Sequence, residues 1–102
     1  MVARIARFEG IDIAEAQRTM GEAEAVIRPL VEALRGYKGR LDLAGEDGEF
    51  VSITFFDTRA DAAASEATFD QEMPKLLGDL FTSWGGRRVS ASVLDVVTDV
   101  RA

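Results

Sequence analysis

The stretch Phe50-Val51-Ser52-Ile53-Thr54-Phe55-Phe56 reads as a strand with no purely polar side. Successive strand residues point to opposite faces. Val51, Ile53 and Phe55 therefore share one face, while Phe50 and Phe56 share the other with Ser52 and Thr54. A strand of this kind needs cover on both faces, so it belongs inside a sheet with helices on one side and a further layer on the other. Tyr37 to Ala44 forms a second strand-like run before it. The intervening Gly45-Glu46-Asp47-Gly48-Glu49 suits a solvated hairpin turn.

The segments around this hairpin define the topology. Val2 to Phe8 reads as a first strand, ended by Glu9-Gly10. Asp12 followed by Glu15 has capping-box spacing, with Asp12 accepting from the Glu15 amide and Glu15 reaching back, so a helix starts near Ile13. Val26, Ile27, Leu30, Val31 and Leu34 recur at helical spacing, and Gly36 is the expected stop. Pro29 lies within that pattern and predicts a kink near Ala25 or a break around Met20-Gly21. Asp57 or Thr58 opens a second, alanine-rich helix that falters before Pro74. Lys75 to Ser83 forms a further helical piece, with Leu76, Leu77, Leu80 and Phe81 pointing inward. Gly85-Gly86 ends it, and Val89 to Val97 is the last strand, again apolar on both sides.

Strand, helix, strand, strand, helix, strand is the order of an α+β, ferredoxin-like βαββαβ fold. It predicts one domain over residues 1–102, an antiparallel four-stranded sheet with its helices on one face. The second apolar face is then explained by two sheets packing together in a two-fold homodimer, or by surface hydrophobes of the ordinary scattered kind.

Composition narrows the chemistry. Twelve Lys and Arg against eighteen Asp and Glu leave a net charge of −6, which disfavours nucleic acid and anionic membrane surfaces. No window approaches the roughly 20 apolar residues of a bilayer span, and the first ten residues lack the apolar run of a signal peptide, so a cytoplasmic location is expected. The chain has no cysteine and no histidine. Thiol nucleophiles, disulfides, histidine bases, histidine-ligated haem and nearly all zinc sites are thereby removed. Glu46, Asp47 and Glu49 lack the spacing of a calcium loop, so no metal is expected there.

Four stretches together carry a resemblance: Ala3-Arg4-Ile5-Ala6-Arg7-Phe8-Glu9-Gly10, Gly36-Tyr37-Lys38-Gly39, Phe50 to Asp57, and the alanine-rich Ala62 to Ala67. The chain resembles the antibiotic biosynthesis monooxygenase-like proteins of the dimeric α/β barrel superfamily. The resemblance implies a homodimer whose sheets form a barrel, with a cavity between each sheet and its helices. It implies oxidation of a small aromatic or quinol substrate with no cofactor, neither metal nor flavin. The alternative is a noncatalytic homodimer, structural or binding a small ligand. The haem-degrading branch uses a histidine ligand that this chain lacks. Under the enzymatic reading Tyr37, Phe55, Phe69 and Trp84 are candidate walls for a small aromatic ligand, and Arg7 or Arg40 would stabilise a developing phenolate. The same aromatics equally suit core or interface filling, and the arginines surface ion pairs. Asp42, Asp57 and Asp95 are the carboxylates to weigh as a base, and no catalytic set is assigned.

Overall fold

A central pair of antiparallel strands organises the molecule. In the computed structural model, which describes residues 1–101, β1 (Val2–Glu9) pairs with β3 (Phe50–Phe56) from Val2 opposite Phe56 to Phe8 opposite Phe50. β2 (Tyr37–Ala44) flanks β3 and β4 (Arg87–Asp95) flanks β1, giving the antiparallel order β2-β3-β1-β4. The helices α1 (Ile13–Glu32), α2 (Arg59–Ala64) and α3 (Met73–Trp84) cover one face. This is the expected ferredoxin-like arrangement, with the hairpin strands at the expected bounds.

Local chemistry sets the helix ends. Asp12 caps α1 by accepting from the Glu15 amide at 3.1 Å. The reciprocal half of the expected capping box is absent: the Asp12 amide donates to the Trp84 carbonyl at 2.8 Å, and Glu15 pairs with Arg18. α1 runs unbroken through Pro29, so the expected break at Met20-Gly21 does not occur, and it ends at Glu32. Gly36 lies beyond that end, in the turn into β2 at φ +75°, where a Cβ would stand 2.2 Å from the Asp61 carboxylate of α2. Only glycine meets both demands.

Thr58 caps α2 by accepting from the Asp61 amide at 3.1 Å. Between α2 and α3 the backbone widens into a π-helical turn over Thr68–Glu72, with the Met73 amide donating to the Thr68 carbonyl. Pro74 gives the physical reason. It has no amide to offer the carbonyl four residues back and its ring crowds that carbonyl, so the preceding turn takes up an extra residue. β4 is shifted from the expected Val89–Val97, starting at Arg87 and ending at Asp95, with a bulge opposite Arg7 and Phe8.

The core has two parts. Val2, Phe56 and Ala62 join β1, β3 and α2, while Ala16, Ala23 and Trp84 join α1 and α3. The buried Trp84 indole donates to the Thr19 hydroxyl at 2.7 Å, and that hydroxyl donates to the Glu15 carbonyl at 2.9 Å, so both buried polar groups are satisfied. The helix-free sheet face carries Ile5, Ile53, Phe55, Leu41, Leu43 and Leu94. The last three are 46%, 51% and 53% exposed.

Candidate functional site

Period-two alternation turns Arg4, Ala6 and Phe8 of β1, Phe50 and Ser52 of β3, and Arg40 and Asp42 of β2 toward the helices. Between these side chains and the helices lies a cavity of about 520 Å³, partly open to solvent. Its waist is apolar: Met20 and Ile27 come from α1, Phe81 and Trp84 from α3, and Phe8 and Phe50 stack edge to face at 6.1 Å beneath them. Volume and lining match a site for a small organic molecule, for which roughly 300–1,000 Å³ is usual.

Two charged clusters stand on the cavity wall. At one, Arg4 is 3% exposed, and its guanidinium lies 4.1 Å from the centre of the Phe69 ring. Arg4 Nε donates to Glu66 at 2.8 Å and Nη2 donates to the second Glu66 oxygen at 3.3 Å. Asp70 lies 3.8 Å from Arg4 Nη2 and accepts from Arg88 Nη1 at 2.6 Å. That Arg88 hydrogen bond holds the Asp70 carboxyl below the usual carboxylate range, against partial desolvation. At the other cluster, Arg40 pairs with Glu24 of α1 and approaches Asp42 at 3.6 Å, and Asp42 accepts from the Ser52 hydroxyl at 2.8 Å.

Of the residues singled out in the sequence, the structure brings Phe69, Trp84 and Arg40 to this cavity. Tyr37 lies beside a separate, smaller hollow of about 170 Å³ with Arg28 and Glu32. Arg7 and Phe55 project from the opposite sheet face, because each sits one residue away from a cavity-facing neighbour. There the Arg101 guanidinium lies 5.4 Å from the Phe55 ring. Among the candidate bases, Asp42 reaches the cavity wall, whereas Asp57 pairs with Lys38 at 3.5 Å and Asp95 with Arg59 at 3.2 Å, both at exposed positions. Sequence reasoning missed Arg4. The signal was available in the alternation Val2-Arg4-Ala6-Phe8, which puts this arginine in step with three apolar residues.

The wall carboxylates Asp42 and Asp70 both face guanidinium groups, and at Asp70 the Arg88 hydrogen bond favours the ionised form. The site can therefore enclose an aromatic framework and offer cationic donors to oxygen atoms on it. Among the described residues, no group of three or more Asp, Glu, His or Cys side chains is placed to hold a metal ion.

No protein-family model matches the sequence, and no curated protein matches it. Solved structures do match. A Bordetella bronchiseptica protein provisionally assigned as an antibiotic biosynthesis monooxygenase superposes with a TM-score of 0.68 at 17% identity, over 95% of this chain and 97% of its own. SnoaB, a cofactor-independent oxygenase from Streptomyces nogalater, gives 0.64 at 12% identity, over 99% of this chain and 97% of its own. The chain has the fold of the antibiotic biosynthesis monooxygenases. A third structure with this fold, the ActVA-Orf6 monooxygenase of Streptomyces coelicolor in complex with nanaomycin D, gives 0.65 at 15% identity, over 99% of this chain and 91% of its own.

Proposed function

We propose that this chain is an antibiotic biosynthesis monooxygenase-like protein that oxidises a small, electron-rich aromatic or quinol substrate with molecular oxygen and no cofactor. The observation that carries this reading is the apolar cavity with the buried Arg4 and the partly buried Arg40 on its wall. In such a site the chemistry belongs to the substrate. Its phenolic form loses a proton, the guanidinium groups stabilise the oxyanion, and the electron-rich ring reacts with oxygen. One oxygen atom enters the ring as a new carbonyl, and the other leaves as water with two hydrogens from the substrate. The SnoaB likeness supports the cofactor-free version by analogy of fold.

The ion pairing of these wall residues also suits a noncatalytic binding protein, and one experiment separates the two. Trp84 is the chain's single tryptophan and lines the cavity, so its fluorescence reports occupancy. A panel of quinols and fused-ring phenols is expected to quench Trp84 and, for at least one member, to drive oxygen uptake at an oxygen electrode. Quenching without uptake across the panel would leave the binding role and remove the catalytic one.

The assembly proposed with this function is a homodimer joined through the helix-free sheet face. The described chain exposes 6351 Å², roughly 700 Å² more than the roughly 5,650 Å² typical of a monomer of its mass. Part of the excess is the C-terminal segment after Asp95, but its size approaches the roughly 800 Å² per partner of a standard interface.

A further inference from the structure

We infer that the Asp70–Arg88 ion pair is a side-chain latch across the mouth of the cavity, and that a small molecule enters or leaves when Asp70 changes partners. The latch rests on the cavity itself and not on the chemistry proposed for it. Apart from Asp42 on β2, the exposed residues of the cavity wall belong to two short stretches: Asp70 and Pro74 in and after the π-helical turn, and Gly85 to Arg88 leading into β4. These stretches frame an opening. Arg87 pairs with Glu9 of the neighbouring strand, whereas Arg88 Nη1 reaches across the opening to Asp70 at 2.6 Å. Side chains alone make this tie: among the described residues, no backbone hydrogen bond joins Thr68–Glu72 to β4.

Two features make the pair a latch rather than a fixed tie. The Arg88 and Asp70 side chains are 40% and 38% exposed, so water competes for both and the pair is weak. Asp70 also has a second partner, because Arg4 Nη2 lies 3.8 Å from the same carboxylate oxygen. Arg4 is itself immobile: both Glu66 oxygens hold its guanidinium, and the Phe69 ring lies against it. A small rotation of Asp70 toward Arg4 therefore keeps the carboxylate paired and frees Arg88 to swing into water. Neither arrangement leaves a buried charge without a partner, so the two are close in energy, as a two-state element requires. Opening needs no movement of the backbone.

The test uses the full chain and needs no known ligand. Trp84 is the single tryptophan, buried on the cavity wall, so quenching of its fluorescence by acrylamide, a small uncharged molecule, reads how often the mouth is open. Arg88→Ala and Asp70→Asn should each raise the quenching constant about two- to fivefold, the range for loss of an exposed ion pair. Arg88→Lys should restore most of the wild-type value, because the latch uses one bond to one oxygen. Arg18→Ala removes an exposed pair with Glu15 away from the cavity and should change nothing. In the wild type, raising sodium chloride from about 0.05 to 0.5 M should also raise the constant, since salt screens the exposed pair and does not act on an uncharged quencher. The salt series decides alone where circular dichroism shows that the variants fail to fold. Quenching in both latch variants equal to that of Arg18→Ala, or no rise with salt, would overturn the latch. Oxygen uptake does not enter this outcome, so the latch and the proposed reaction fail separately.

Discussion

Trp84 and Thr19 show how a single hydrogen bond is used at this site. The indole N–H is buried between α1 and α3 and has the Thr19 hydroxyl as its acceptor, 65 residues away in sequence. Thr19→Val keeps the side-chain shape and removes the acceptor, leaving a buried donor unsatisfied. The expected loss is about 1–3 kcal/mol, read as a lower urea midpoint at unchanged slope. Asp70 makes a second residue-scale prediction. Its carboxyl is depressed chiefly by the Arg88 hydrogen bond, so its stabilising contribution is complete above the unfolded-state pKa and lost as pH falls through the folded one. Arg88→Ala should therefore differ most from the wild type at neutral pH and converge with it below about pH 4. Parallel melting curves at every pH would refute this. The same residues show what a sequence conceals. Arg4 and Arg7 look alike in Arg4-Ile5-Ala6-Arg7, yet parity along β1 buries the first and exposes the second. Attention to that alternation would have replaced Arg7 by Arg4 among the cavity candidates, and the same alternation places Phe55 outside.

At the level of elements, the turns were legible where glycine or a capping side chain dictates geometry. The hairpin strands, the Asp12 start of α1 and the Thr58 cap of α2 all follow from local chemistry. The π-helical turn was not legible, since no residue pattern announces one; Pro74 marks a disturbance without saying whether the chain breaks or widens. The end of β4 was missed because Val96 and Val97 continue an apolar run, although Val97 lies outside the strand and is almost wholly exposed. Gly36 provides the element-scale test. Gly36→Ala must hold a positive φ and place its methyl group against Asp61, so α2 has to move off the α1–β2 turn. A cost of about 2–4 kcal/mol is expected from denaturant unfolding. A loss below half a kcal/mol would show that α2 is not fixed there.

For the whole molecule, the question is what covers the second face of the sheet. The proposed homodimer predicts a sedimentation mass twice the 11.1 kDa of the chain at micromolar concentration. Leu43→Asp, on the open face and half exposed in the single chain, should return it to the monomer mass with its helical circular dichroism kept. A wild-type monomer would end this proposal and leave the face as exposed apolar surface. One feature of the sheet bears on how such a protein can change over generations. In β1 and β3, and in β2 beyond the register shift after Tyr37, even-numbered residues such as Arg4, Arg40 and Ser52 turn toward the helices, while odd-numbered ones such as Ile5, Leu41 and Ile53 face away. Under the proposed function and assembly, ligand preference and partner preference would be written in alternating letters of the same three words, so that a point mutation in these strands would edit one message at a time.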